Sequence, residues 1–331
     1  MIKFNLRAFL LNFYGLLILI ITASTINCSE NPKNVANSQD QSREMARRDS
    51  ITVNSANTST AKDTVYKYVL PRPVRYSAYP VKGTKALSEL YKKYGTEGGK
   101  LILALNRLDE SNIRRTDTLV IPDTITNIIS YSPFPYEIQA VRSVPKLILI
   151  SRRIQAFAAY ENGVLVKWGP TSTGRKSKPT PEGLFNMNWK SRKTTSTIDS
   201  SWILPYYFNF YNKEGVALHQ FSMPGYPASH ACVRLLENDA RWFYYWAEQW
   251  MLSDDGGLLA QGTPLIVFDE YRFGKRKPWK NLLENPDALK ISDSEISELM
   301  NKYLPTILER NEKRQEAKIA LKNKAAESSQ N

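Results

Sequence analysis

The sequence predicts a mainly β domain with one helix near its end, preceded by a small α+β segment and followed by a helical tail. Three observations predict it. From residue 145 the apolar residues come in short runs broken by Gly, Pro, Asn and Thr, as in "KLILISRRIQAFAAYENGVLVKWGPTSTG", a texture of strands rather than helices. Between 81 and 123, by contrast, Leu87, Leu90, Tyr91 and Tyr94 fall at helical spacing, and Leu101, Ile102 and Leu105 form a second short helical stripe. Near the end Ile296, Leu299, Met300 and Tyr303 recur at i, i+3, i+4 and i+7, which lays one apolar face along a helix.

Taken in order, the 331-residue chain opens with Lys3 and Arg7 ahead of about fifteen mostly apolar residues. That is shorter than the ~20 residues of a full membrane span and has the charge pattern of a secretory signal. Cys28 follows where a lipoprotein signal places its lipidated cysteine, although Thr25 and Asn27 stand where an aliphatic and a small residue are usual. Residues 1–27 are therefore expected to be a signal peptide or a membrane anchor. Both readings export the chain to the periplasm or cell envelope, tethered to a membrane. Residues 28–62 are polar, rich in Asn, Ser and Thr and without hydrophobic periodicity, so a disordered tether is expected. In the α+β segment, 78–124, Gly95 and Thr96 separate the two helical stripes, and a loop leads to a short strand ending at Pro122.

The main domain is expected over 145–270. "ENG" is a hairpin-type turn between alternating runs. "SWILPYYFNFY" and "EGVALHQF" read as strands, "DARWFYYWAEQWML" as an amphipathic helix and "TPLIVFD" as a closing strand. The tail, 271–331, starts a helix with a capping box from Ser292 to Glu295. Pro305 is expected to interrupt that helix before a solvated stretch of alternating charge from Glu309 to Lys324.

The net charge of +13 suits an anionic partner such as membrane headgroups or a cell-wall polymer. Nucleic acid is not expected, because no dense basic block interleaved with aromatics is present and no nucleic-acid motif is found. There are two cysteines. With Cys28 held at the membrane, Cys232 is the only thiol left for the folded part, and no disulfide framework is expected. A monomer is expected.

The chemistry concentrates in "HQFSMPGYPASHACVRL", residues 219–235, which holds both histidines of the chain and one of its two cysteines. Acyl transfer through a thiol needs a thiolate, a base to form it and donors for the oxyanion that attack creates. Cys232 can be the nucleophile, and His219 can face it across a loop from the end of a strand. His230 lies two residues from the cysteine, on one face of an extended segment. Backbone N–H groups around Ala231 and Cys232 can serve the oxyanion, and Arg234 can grip a carboxylate with two bonds. Two other readings stay open on the residues alone. Two His and one Cys can bind zinc, but a fourth ligand is not evident and the spacing fits no common pattern. A lone cysteine can also be a small buried hydrophobe.

"ALHQ…ASHACVRL" resembles the signature of YkuD-type L,D-transpeptidases, a histidine followed by [ST]HGC and then Arg or Asn two residues on. "GRKSKPTPEGLF" resembles that family's "G…PTPxGxF" segment, "ILPYYFNFYNKEGVALHQ" its stretch before the catalytic histidine, and "LILISRRIQAFAAYENGVLVKWGPTSTG" its opening strands. The resemblance covers roughly 145–270 and implies a β-sandwich with a flanking helix. It further implies that His219, oriented by a backbone carbonyl, helps deprotonate Cys232. The thiolate would attack the L-centred third residue of a peptidoglycan stem tetrapeptide, expel D-Ala, and pass the acyl group to an amine as a 3→3 crosslink. By the same resemblance His230 would shape the oxyanion site, Ser229 would support the loop, Arg234 would hold a stem carboxylate and Tyr206 would line the pocket. No metal or organic cofactor is implied. Ala231 stands where the family usually has Gly; its methyl group narrows the pocket or demands different backbone angles. The loop between His219 and Cys232 is also shorter than is common in the family. The 78–124 segment resembles LysM, a small βααβ glycan-binding module, through "ALSELYKKYG", "ILALNRL" and "DTLVIP". Hydrolysis of the thioester (an L,D-carboxypeptidase), attachment of a protein to the wall, and a non-catalytic wall-binding lipoprotein are the alternatives.

Overall fold

A computed structural model describes residues 73–328. The expected signal or anchor, the tether and Cys28 lie outside the described residues. Among the described residues no helix is long and apolar enough to cross a membrane.

The first unit runs from β1 (Tyr76–Pro80) through α1 (Ala86–Leu105) to β2 (Thr118–Pro122), with β1 and β2 antiparallel. Gly95 breaks α1 with φ +71, a left-handed angle that glycine adopts without steric cost. The two helical stripes expected on either side of it are the two halves of α1.

The main domain is built from β3 (Lys146–Ser151), β4 (Ala156–Glu161), β5 (Val164–Pro170), β6 (Gly183–Asn186), β7 (Lys190–Thr195), β8 (Ile203–Tyr211), β9 (Val216–Gln220) and β10 (Val233–Leu235). It continues with helix α2 (Glu237–Trp246), the short pair β11 (Met251–Leu252) and β12 (Leu258–Ala260), and β13 (Pro264–Phe268). One sheet has the order β5-β4-β3-β13-β6 and the other β10-β9-β8-β7. Asn162 and Gly163 both take positive φ between β4 and β5, the backbone that a two-residue hairpin turn needs to match strand twist.

Side chains alternate across each strand, so each sheet sorts its residues by face. Ile148, Ile150, Phe157, Leu265 and Val267 of the first sheet meet Phe208, Phe210, Leu218, Val233 and Leu235 of the second, with Ala240 and Phe243 of α2 in the same core. The other face of the first sheet, through Leu147, Leu149, Tyr160 and Ile266, packs on Leu101 and Leu105 of α1 and on Trp279, Leu282 and Ile291. Burial on both faces explains why β3, β4 and β13 read as unbroken apolar runs.

The C-terminal helix α3 spans Asp293–Ser328. The capping box is present: Glu295 N–H donates to Ser292 Oγ at 3.3 Å, and Ser292 N–H donates to Glu295 Oε2 at 2.7 Å. Pro305 lies inside α3 and does not interrupt it, which corrects the sequence expectation. An interior proline costs about 3 kcal/mol. Ile296, Met300 and Ile307, buried against the main domain on both sides of the proline, offset that cost. Arg314 then donates to Glu248 at 2.8 Å and to the Gln261 carbonyl at 2.7 Å. Ahead of α3, Trp279, Leu282, Leu289 and Ile291 are core residues.

Arg107 ties the first unit to the main domain. It is wholly buried, donates from Nε to the Ile154 carbonyl at 3.0 Å, and sits against Trp168 and Trp279 with ring centroids 5.8 and 5.3 Å away. Burial lowers its pKa to about 9, still well above neutrality.

Candidate active site

The outer face of the second sheet gathers the candidate site residues. β9 and β10 run parallel, with Val233 opposite Leu218 and Arg234 opposite His219. Partners across a parallel ladder point the same way. The core side receives Val233 and Leu218, so the opposite face receives His219, Arg234 and, two residues before Arg234, Cys232. There Cys232 packs with Trp189, Leu204, Tyr207, Ala217, Trp202 and Phe221. The topology thus brings together residues thirteen apart in sequence.

His219 is almost fully buried, and its Nδ1 donates to the Gln220 carbonyl at 3.0 Å. That bond fixes the tautomer that leaves Nε2 as the basic nitrogen. Burial lowers the histidine's pKa to about 4, with a smaller lowering from the Arg234 charge, while the Gln220 bond acts in the opposite direction. The ring is therefore neutral throughout the physiological range. Cys232 is partly exposed, forms no disulfide, and its thiol donates to the Gly215 carbonyl at 3.7 Å.

The loop that carries the cysteine is held from three directions. Ser229 donates its N–H to the Thr173 carbonyl at 3.1 Å and its hydroxyl to the Cys232 carbonyl. Thr173 is itself set by the buried Gln155 amide, with bonds of 2.8 Å in both directions. On the second side, Thr180 accepts from Gly174 N–H at 2.9 Å and donates to the Ala231 carbonyl at 2.6 Å. Gly174 admits no larger residue, because an added Cβ would lie 2.1 Å from the Lys178 carbonyl oxygen. On the third side, Asp109 of the first unit pairs with Met223: Asp109 N–H donates to the Met223 carbonyl at 3.1 Å, and Met223 N–H donates to Asp109 Oδ2 at 2.6 Å.

Ala231 has φ +89. The backbone there takes the left-handed conformation that glycine favours, and alanine adopts it at a cost of about 1 kcal/mol. Of the two consequences expected from a methyl group at this position, the structure displays the backbone one. The amides of His230 and Ala231 make no hydrogen bond among the described residues, which leaves them available to an oxyanion.

His230 stacks obliquely on Trp202, ring centroids 5.6 Å apart, with Nδ1 enclosed and unpartnered. Its pKa is lowered by burial and then by the charges of Arg175, Arg234 and Lys178. Arg234 is engaged with the loop itself: Nη1 donates to the Ser222 carbonyl at 3.3 Å, Nη2 donates to the Ala228 carbonyl at 3.1 Å, and the guanidinium lies 4.7 Å from the centre of the Phe221 ring. Its guanidinium staples the cysteine loop shut, a duty the sequence reading did not give it. Tyr206, with φ +53, packs on Tyr244 of α2 with ring centroids 6.0 Å apart. Its contacts lie with the inter-sheet core, whereas the aromatic rings of the cysteine cluster are Trp189, Tyr207, Trp202, Phe221 and Trp250. Among the described residues no group of three or more His, Cys, Asp and Glu is arranged to hold a metal ion.

Several of these supports had no sequence signal as site residues. Thr180 lies within the "PTPEGLF" motif, yet its bond to Ala231 is a tertiary fact. Gln155 lies 74 positions before Ser229, and Asp109 lies 114 before Met223. Only the fold reveals them.

Residues 145–267 match the family model of the L,D-transpeptidase catalytic domain, YkuD. The YkuD match takes in both sheets, α2 and the whole of the 219–235 stretch. That match does not extend to the first unit, whose LysM resemblance is not supported. No curated protein matches the chain. Among solved structures, the chain is similar to an L,D-transpeptidase from Mycobacterium smegmatis, at 21% identity over 38% of this chain and 59% of that one, TM-score 0.31. It is also similar to one from Stackebrandtia nassauensis, at 21% identity over 57% of this chain and 78% of that one, TM-score 0.35. A third, from Xylanimonas cellulosilytica, is 18% identical over 60% of this chain and 100% of that one, TM-score 0.36. The chain thus spans about three fifths of the mycobacterial relative.

Proposed function

We propose that the protein is a cysteine acyltransferase of the L,D-transpeptidase type, acting on peptidoglycan stem peptides in the cell envelope. One observation carries the reading. Cys232 and a neutral, carbonyl-oriented His219 share one face of two parallel strands, within a segment matching the YkuD model.

In the proposed reaction His219 Nε2 takes the Cys232 proton, and the nearby Arg234 charge favours the thiolate. The thiolate adds to the carbonyl of the L-centred third residue of a tetrapeptide, and the amides beside Ala231 receive the oxyanion. Collapse breaks the bond to D-Ala, whose amine takes the proton from His219, leaving a thioester on Cys232. An acceptor amine then attacks the thioester, gives a proton to His219 and leaves as the new amide, a 3→3 crosslink, while Cys232 regains its proton. Burial, which makes His219 a weak base, makes its protonated form a strong acid toward the leaving amine. Water in place of the amine gives a carboxypeptidase by the same first half. The expected N-terminal anchor or lipid on Cys28 would hold the enzyme at a membrane. Glycan binding by the first unit is a further expectation.

The test is incubation of the soluble part with disaccharide-tetrapeptides and analysis by mass spectrometry. Crosslinked dimers with loss of D-Ala are expected from the wild type, and a fall of at least ~1000-fold from Cys232→Ala. Tripeptide without dimer would select hydrolysis. D-Ala release that survives in Cys232→Ala would sink the nucleophile assignment.

A further inference from the structure

We propose that the loop of residues 174–179 is a carboxylate-recruiting subsite, and that Arg175 and Lys178 select acyl donors that carry a free carboxylate. The proposal rests on the acyl-transfer reading and names the charge of its substrate. Arg234, the cation that the motif offers for that duty, already holds two loop carbonyls. Those two bonds use two of its five N–H donors, and the adjoining turn supplies further cations.

The loop is built to present it. Gly174 pairs with Ser229 in a parallel bridge, and Arg175 N–H donates to the Ser229 carbonyl at 2.9 Å, which seats residue 175 one position from His230. Lys178 N–H turns back to the Arg175 carbonyl at 2.9 Å, so both side chains leave one tight turn. The turn is locked from below by the Gly174–Thr180–Ala231 bonds. Any shift of the loop is therefore felt at the residue beside the nucleophile.

Arg175, Lys176 and Lys178 are exposed, and among the described residues none of them has an ion-pair partner. The acid next along the chain, Glu182, is taken by Arg152 at 2.7 Å. The charges of Arg175 and Lys178 reach His230 strongly enough to disfavour its protonation. Unpaired cations converging on a partly enclosed spot raise the local concentration of anions and speed their arrival. A stem peptide whose leaving group is a terminal amino acid brings its carboxylate to within one residue of the scissile bond, the distance at which such a rim operates.

The test measures alkylation of Cys232 by iodoacetate and by iodoacetamide, which attack the same thiolate and differ in charge. Peptide mapping separates Cys232 from Cys28. The expected result is an iodoacetate-to-iodoacetamide rate ratio at Cys232 several-fold above that of glutathione. It should fall toward the glutathione value in 0.5 M salt and in Arg175→Glu/Lys178→Glu. Single Arg175→Gln and Lys178→Gln variants should give intermediate ratios, and the salt arm needs no variant. A ratio no higher than that of glutathione, or one indifferent to both salt and charge reversal, overturns the subsite. Alkylation requires no peptide turnover, so a silent peptide assay beside an intact ratio counts against acyl transfer alone.

Discussion

At Ala231 a single methyl group meets a backbone angle made for hydrogen. Its φ of +89 is fixed by two side-chain hydroxyls: the carbonyl of Ala231 is held by Thr180 and that of Cys232 by Ser229. The loop therefore imposes the angle, and the methyl group bears strain that glycine would not. Ala231→Gly should stabilise the folded protein by about 1 kcal/mol, offset in part by the greater freedom of glycine in the unfolded chain. Thermal unfolding is the measurement, with a rise of ~1–3 °C expected. His219 gives a second outcome at this scale. Its folded pKa, about 4, lies below the 6.5 of the unfolded chain. Above pH 6.5 both states are neutral and the residue adds no pH dependence. As pH falls below 6.5 the unfolded chain takes up a proton that the folded one refuses, so stability drops by up to ~1.4 kcal/mol per pH unit until about pH 4. Chemical denaturation from pH 7 to 4 should show this slope in the wild type and a shallower one in His219→Asn, where the lowered pKa of His230 still contributes.

At the scale of elements, the pairing of Asp109 with Met223 connects two units that the sequence separates. Asp109 also caps a short 3₁₀ turn, its Oδ1 accepting from Asn112 N–H at 2.9 Å. Asp109→Ala should cost about 2 kcal/mol, from the lost cap and an unsatisfied Met223 amide. Hydrogen exchange should quicken locally over 221–225 while the β8–β9 ladder stays protected. Loss of protection spread evenly over the domain would deny Asp109 a specific hold on this loop. Strands β3, β4 and β13 were legible because burial on both faces leaves an apolar run, and α2 because its aromatic face repeats. The continuity of α3 through Pro305 was not legible, since the local cost of proline is written in the sequence and the burial that offsets it is not. The site divides the same way. His219 and Cys232 announced themselves by residue type, whereas the engagement of Arg234 with Ser222 and Ala228 depended on how the loop closes.

Across the whole molecule, the cations at the site rim agree in sign with the net charge of +13. A basic protein facing an anionic polymer gains encounter rate from its overall field and orientation from the few charges beside the reacting atoms. The sequence displayed the first of these as a sum. The second is a matter of which charges remain unpaired, and that depends on partners such as Glu182 and Arg152, thirty positions apart.

Arg107 stands at the junction of all three parts of the described chain, with Trp168 from the sandwich on one side and Trp279 from the segment before α3 on the other. Neither residue 107 nor residue 279 falls within the stretch matching the YkuD model. A piece cut at the limits of that match would keep Trp168 but lose the guanidinium and the second indole, and would bare the leucines beneath α1. The stretch that matches the family model is thus shorter than the stretch that shares one packed core.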